Sequence, residues 1–159
     1  MLQRGLVSSC ARAATAEEAA FRIDYPLSAA RNTRVVALDE AAKGIVGRAA
    51  AEEWAQARFY SVFGAGDELV TMTGDRVALT DELRDSNTVV LVSTTGENAE
   101  AAATIGAACT VRGIMTAGLV VTSDGVSNEA LFSLRPHARI LLVPAEEDDL
   151  LELLKATRA

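Results

Sequence analysis

The segment that most constrains the fold is an uninterrupted apolar run, Thr88-Val-Val-Leu-Val92. Continuous β-branched and aliphatic runs are typical of strands buried on both faces, as in parallel sheets. Other short apolar runs occupy residues 34–38, 58–63, 119–122 and 138–143. Segments with a helical pattern separate most of these runs, and they are long enough to serve as the crossovers that parallel strands require. The pattern predicts an α/β fold, a doubly wound and mostly parallel sheet flanked by helices.

The helices are predicted from composition and from their end signals. The alanine-rich stretch 44–57 is expected to form a helix against the sheet, and residues 98–112 a second helix that Gly113 ends. Thr80 is expected to cap a short helix. Residues 128–134 and 146–157 are predicted as two further helices. Residues 69–73 and 76–79 form either a hairpin or one strand followed by a turn.

Composition limits the kind of partner. The 159 residues are 50% hydrophobic and 23% charged, with a formal net charge of −7, which fits one folded domain. The acidic excess argues against nucleic acid, because such binding needs a clustered basic surface. It also argues against an anionic membrane surface as a partner. No run approaches the roughly 18 apolar residues that indicate a membrane-spanning helix.

Cysteine and histidine are scarce, with only Cys10, Cys109 and His137 in the chain. No CxxC, HExxH or Cys/His cluster occurs, so neither a metal site nor another cofactor is expected. A nucleophilic Cys–His pair is formally possible, but lone buried cysteines are more often small core residues. This cysteine usage fits a reducing compartment, and we expect a cytoplasmic protein.

The first sixteen residues contain Arg4 and Arg12, two serines and no acidic residue. This composition resembles that of an organellar transit peptide. An amphipathic N-terminal helix explains it as well, and we favour that interpretation. The chain is therefore divided into an N-terminal helical segment, residues 1–33, and an α/β domain, residues 34–159.

One loop carries most of the chemical information. Ligands of open parallel sheets bind beyond the carboxyl ends of the strands, which directs attention to residues 39–43, 93–98 and 123–127. The second of these segments reads Ser93-Thr94-Thr95-Gly96-Glu97-Asn98. It combines three hydroxyls and an amide with the free N–H groups of a helix start, which suits a phosphate monoester. The alternative is a Ser/Thr-rich cap that only begins the helix.

The same segment carries a family resemblance. Val-Leu-Val-Ser93-Thr94-Thr95-Gly96-Glu-Asn98 resembles the motif of sugar isomerase (SIS) domains, a strand followed by Ser-x-Ser-Gly-x-Ser/Thr, with Thr and Asn replacing two hydroxyl positions. The resemblance covers roughly residues 34–144 and favours the phosphoheptose isomerase branch, in which an Ala-Glu-Glu follows the first strand as Ala51-Glu52-Glu53 does here. It implies that this loop holds a sugar phosphate.

Two features depart from that branch. Its first loop is Gly-Asn-Gly-Gly-Ser, whereas residues 39–44 read Asp-Glu-Ala-Ala-Lys-Gly. An acidic loop would crowd and repel a phosphate, although Lys43 could partly compensate. The branch also uses a glutamate and a histidine as acid and base, and that histidine lies on the last helix. Glu53 stands in place of the glutamate, but the last predicted helix has no histidine. His137 precedes the last strand and is expected near the opposite end of the sheet.

Two classes of function stay open. The first is a SIS-like module that binds a phosphorylated sugar or a similar small anion through Ser93, Thr94, Thr95, Gly96, Asn98 and Lys43, as a sensor or an assembly partner with weak or no catalysis. The second is a sugar-phosphate aldose–ketose isomerase with Glu53 as acid and base. For Glu52 and Glu53 a solvated helix face is the alternative. The two departures favour the first class.

Self-association is the last expectation. SIS domains commonly pair, and the alanine-rich helix, residues 2–21 and the aromatic residues Phe59, Tyr60 and Phe63 offer more apolar surface than a small domain readily buries. Two-fold symmetry is the commonest solution. We therefore expect a homodimer or a homotetramer.

Overall fold

A computed structural model describes residues 30–125 and 127–159. The predicted N-terminal helix lies almost entirely outside these residues. The elements in chain order are β1 (Thr33–Ala37), α1 (Glu40–Ala50), β2 (Arg58–Phe63), β3 (Glu68–Thr71), β4 (Arg76–Ala78), α2 (Leu79–Leu83), β5 (Thr88–Ser93), α3 (Ala99–Arg112), β6 (Met115–Val121), α4 (Asn128–Leu134), β7 (Ile140–Ala145) and α5 (Glu147–Ala156).

The described strands form one seven-stranded sheet in the order β4-β3-β2-β1-β5-β6-β7. Strands β2, β1, β5, β6 and β7 are parallel, while β3 and β4 form an antiparallel hairpin at one edge. In the centre, Val35 pairs with Phe59 of β2 and with Val90 of β5. The predicted α/β class and mostly parallel sheet are confirmed, and of the two arrangements expected for residues 69–79 the hairpin is the one observed.

The sheet separates two apolar clusters, one on each face. Helices α1 and α5 cover the face that carries Val35 and Val90, with Val46 and Leu150 in the contact. Helices α2, α3 and α4 cover the opposite face, where Leu91 packs with Ile105. Every residue of β1 and β5 is buried, which agrees with the uninterrupted apolar run that predicted a doubly covered strand. None of the helices in the described ranges has the length and apolar character to cross a lipid bilayer.

Helix α1 differs from the prediction at both ends. It begins at Glu40 instead of Gly44, because Asp39 acts as the N-cap and accepts a hydrogen bond from the backbone N–H of Ala42 at 2.8 Å. It ends at Ala50 instead of Ala57. There the indole N–H of Trp54 donates to the carbonyl of Ala49 at 2.8 Å, so a side chain takes one of the carbonyls left without a partner at the helix end.

Other boundaries also differ, and β7 spans Ile140–Ala145 instead of residues 138–143. Helix α2 begins at Leu79 with Ala78 as its cap residue and no side-chain cap, so Thr80 lies in the first turn and does not cap it. Strand β6 begins at Met115, four residues before the predicted start, because Gly118 is an internal strand position closely covered by Leu141. Strand β1 begins at Thr33. Helix α4 has the predicted bounds, and Gly113 ends α3 with a φ of 68° as predicted.

Candidate functional site

The candidate site lies at the switch point of the sheet. Strands β1 and β5 are neighbours, yet the helix after β1 packs on one face and the helix after β5 packs on the other. Crossovers that leave in opposite directions open a crevice at the carboxyl ends of the two strands, where ligands of open α/β sheets bind. Asp39 and the segment 93–98 meet at this crevice.

The carboxylate of Asp39 fills the turn that follows β5. It accepts hydrogen bonds from the backbone N–H and the hydroxyl of Thr94, both at 2.6 Å, and from the N–H of Thr95 at 3.2 Å. The hydroxyl of Ser93 donates to the same carboxylate at 3.4 Å, and the N–H of Ala42 completes its shell. Asp39 is only 6% exposed. The donors expected to hold a phosphate therefore converge on an anion that belongs to the chain itself.

This environment keeps Asp39 ionised. Burial alone raises the pKa of the carboxyl, but the hydrogen bonds from Thr94, Ala42 and Thr95 outweigh it, and the pKa lies below its ordinary value of 3.8. Hydrogen bonds to a charged group are about twice as strong as neutral ones. The turn thus holds one full negative charge at neutral pH.

The other residues of the turn hold its shape. Gly96 has a φ of 87°, and a Cβ there would lie 2.5 Å from the backbone nitrogen of Ala130. Its N–H donates to the buried hydroxyl of Ser93 at 3.2 Å. Asn98 adopts a left-handed conformation with a φ of 60°, and its amide donates to the carbonyl of Leu38 at 2.6 Å. Ser93 and Asn98 thus make bonds within the chain.

Two clefts lie at the carboxyl edge, one on either side of the contact between Asp39 and Thr94. The first has a volume of about 370 Å³. Its lining includes Asp39, Glu40, Lys43, Ser61, Phe63 and Asn98. Helix α1 begins at this cleft, and Lys43 supplies a positive charge among the acidic groups.

The second cleft has a volume of about 430 Å³ and is lined in part by Thr94, Thr122 and Ser123. Arg48 and Glu147 form an ion pair at its rim, with 3.0 Å between Nη2 and Oε2. The hydrogen bond from Arg48 lowers the pKa of Glu147. Both side chains are largely exposed, so the pair contributes little stability.

The structure brings six of the seven predicted site residues to one edge of the sheet: Lys43, Ser93, Thr94, Thr95, Gly96 and Asn98. It does not bring Glu53 there. Helix α1 starts at the carboxyl edge and runs back toward the amino edge, and Glu53 lies exposed beyond its last residue. His137 lies against Gly106 and lines a small depression with Arg139, on the side of the sheet where β6 begins.

The cysteine within the described residues lies in the core and not at the crevice. Cys109 is buried, and burial raises the pKa of its thiol. In the ranges that the structure describes, no group of three or more His, Cys, Asp or Glu residues could hold a metal ion.

A buried polar network near the amino edge was not predicted from the sequence. Arg34 is 5% exposed, and its Nε donates to the backbone carbonyl of Glu82 at 3.1 Å. The hydroxyl of Tyr60 donates to the carboxylate of Glu82, and Arg58 lies 3.6 Å from the same carboxylate. Burial and the Glu82 contact raise the pKa of Tyr60. Because these side chains find their hydrogen-bond and ion-pair partners in one another and in the backbone, we assign the network a structural role.

The role of Asp39 was also missed. The available signal was its position directly before an alanine-rich segment, where Asp is a favoured N-cap.

No protein-family model and no curated protein sequence matches this chain. The fold and the crevice define the class, a Rossmann-like α/β domain with a polar crevice at the switch point.

Proposed function

We propose that this chain is a SIS-like module that binds a phosphorylated sugar at the switch point and has little or no isomerase activity. One observation carries the proposal. The N–H and hydroxyl of Thr94 and the N–H of Thr95 converge on a carboxylate at the position where the resemblance implies a phosphate. A turn that accommodates the oxygens of one anion offers the same donors to another.

In this proposal the phosphate of the ligand replaces the carboxylate of Asp39. The sugar then lies in the 370 Å³ cleft, beside Ser61 and Phe63, and Lys43 balances part of the phosphate charge. The volume is within the range of about 300–1,000 Å³ that is common for small-molecule sites. Asp39 acts as an internal competitor, so the ligand binds only those molecules in which Asp39 has left the turn. The apparent dissociation constant is therefore the intrinsic one divided by the fraction of such molecules.

The position of Glu53 favours a binding module over an enzyme. Moving a proton between adjacent carbons needs an acid or base within hydrogen-bond reach of the substrate. Glu53 follows the end of α1, whereas the turn with Thr94 lies where that helix begins. A sugar phosphate in the crevice is therefore out of its reach.

The sharpest test replaces the competitor without removing the helix cap. Serine is also a good N-cap, but its shorter side chain leaves the donors of Thr94 and Thr95 available. In calorimetric titrations with fructose 6-phosphate and sedoheptulose 7-phosphate, we expect Asp39→Ser to bind at least one of them tenfold or more tightly than the unmodified chain. Unphosphorylated fructose should not bind to either protein.

The matched control is Asp81→Ser, which removes one negative charge from the exposed surface of α2. It should bind like the unmodified chain. If neither the unmodified chain nor Asp39→Ser binds any phosphorylated sugar at millimolar concentration, the turn is only a helix cap and the proposal is wrong. If Asp39→Ser and the unmodified chain bind a phosphorylated sugar equally well, the phosphate does not take the place of the Asp39 carboxylate.

A further inference from the structure

The two edges of the sheet differ in how they are protected. Strand β4 has three residues and includes the exposed Arg76. Strand β7 has six residues, Ile140–Ala145, with no charged side chain. An edge strand presents unpaired backbone N–H and C=O groups, and proteins usually protect such an edge with a short strand, a charge or a proline. In β7 this protection is confined to its end, where Pro144 is the fifth of six residues and the pairing with β6 shifts register between Leu142 and Ala145.

The side chains of β7 are also incompletely covered. Ile140 is 41% exposed, and the three residues that follow it are only partly buried. Leu142 packs toward the cluster of α1 and α5, while Leu141 and Val143 pack toward the opposite cluster. Strands β1 and β5, in contrast, are buried at every residue. Apolar surface is therefore left on both faces beside the β7 edge.

We propose that β7 is the contact between two copies of this chain, paired antiparallel about a two-fold axis. Charge complementarity favours a second copy. Arg139 directly precedes β7 and Glu146 directly follows it, both are exposed, and neither has an ion-pair partner among the described residues.

Antiparallel pairing brings the basic end of one strand to the acidic end of the other, and the symmetry makes this contact twice. Parallel pairing would place like charges side by side. With Arg139 opposite Glu146, Leu142 and Val143 lie at the centre of the new ladder, and Pro144, which has no N–H to donate, lies toward its end. The contact leaves the crevice free, since β6 separates β7 from β5. This inference does not depend on the proposed function.

The first experiment measures the mass of the full chain by light scattering across micromolar concentrations. We expect twice the 16.7 kDa of one chain. Ile140→Lys should raise the dissociation constant at least tenfold, because it buries a charge in the contact. The matched control is Val111→Lys on α3, which changes an 85% exposed residue in the same way and should leave the mass unchanged.

The second experiment exchanges the charges. Arg139→Glu alone and Glu146→Arg alone should each weaken the dimer, and the double variant should recover most of the affinity. Glu146 is also the N-cap residue of α5, so its loss can destabilise the monomer. That effect persists in the double variant and cannot produce the recovery. A mass of one chain at the highest concentration overturns the proposal, and so does a larger assembly that Ile140→Lys and the charge variants leave unchanged.

Discussion

Asp39 and Thr94 are joined by two hydrogen bonds of 2.6 Å, one from the backbone N–H and one from the hydroxyl of Thr94. They join the start of α1 to the end of β5 across the switch point. The same carboxylate caps α1 through Ala42. The Asp39 side chain therefore sets the start of α1 on one face of the sheet. It also sets the shape of the turn that leads from β5 to α3 on the other face.

Removing the hydroxyl of Thr94 should destabilise the fold. Thr94→Val preserves the shape of the side chain but leaves a buried carboxylate with one donor fewer. Hydrogen bonds to charged groups contribute about 1.5–3 kcal/mol, so the free energy of unfolding should fall by about that amount in urea titrations. Thr104→Val is the control, because that hydroxyl only bonds back to the carbonyl of Glu100 within α3. Equal losses in the two variants would contradict the importance of the Asp39 contact.

Stability should depend on pH through Asp39. Its pKa is lowered in the folded chain, so it contributes stability above the ordinary value of 3.8, and this contribution is lost as the pH falls through the folded pKa. Asp39→Asn should therefore show a flatter decline in the free energy of unfolding below about pH 4. Asp81→Asn, an exposed position on α2, should keep the slope of the unmodified chain. An unchanged slope in Asp39→Asn would refute the prediction.

Two glycines should respond to alanine in opposite directions. At Gly96 a Cβ would approach Ala130 and Glu129 to 2.5 Å, and φ is 87°, so Gly96→Ala should destabilise by more than about 1 kcal/mol. At Gly47, inside α1, a Cβ would meet nothing within 4 Å. Gly47→Ala should therefore stabilise by about 0.4–1 kcal/mol. Thermal melts of the two variants compare them directly, and similar melting temperatures would contradict both expectations.

Isomerase activity should be low or absent. The purified chain should not interconvert sedoheptulose 7-phosphate and its aldose isomer at an ordinary enzymatic rate, about 1–10³ s⁻¹. Glu53→Gln should behave like the unmodified chain, because Glu53 is exposed and remote from the crevice. Turnover at such a rate that disappears in Glu53→Gln would establish the enzyme interpretation instead.

Local signals predicted most of the elements. The apolar run of β5, the bounds of α4 and the glycine that ends α3 follow from neighbouring residues, so the sequence was sufficient for them. The expected start of α1 was wrong because it rested on the alanine-rich composition after Gly44, whereas the N-cap at Asp39 starts the helix at Glu40.

The long-range relationships could not be predicted in the same way. Asp39 and Thr94 are 55 residues apart, and only the strand order makes them neighbours. The hairpin of β3 and β4 also extends the sheet beyond β2, which leaves Tyr60 only 2% exposed, contrary to its predicted place on an apolar surface. Phe63 remains 41% exposed, with the guanidinium of Arg76 3.8 Å from its ring centre.

The short, charged β4 edge limits how far sheets of this kind can grow. Open-ended polymerisation into fibres requires every subunit to offer two edges that accept a new strand. Here one edge has three residues and carries Arg76, which forms an ion pair with Glu68 as well as its contact with Phe63. A sheet with only one receptive edge adds a single neighbour and then stops, so edge-to-edge pairing of folded copies ends at two.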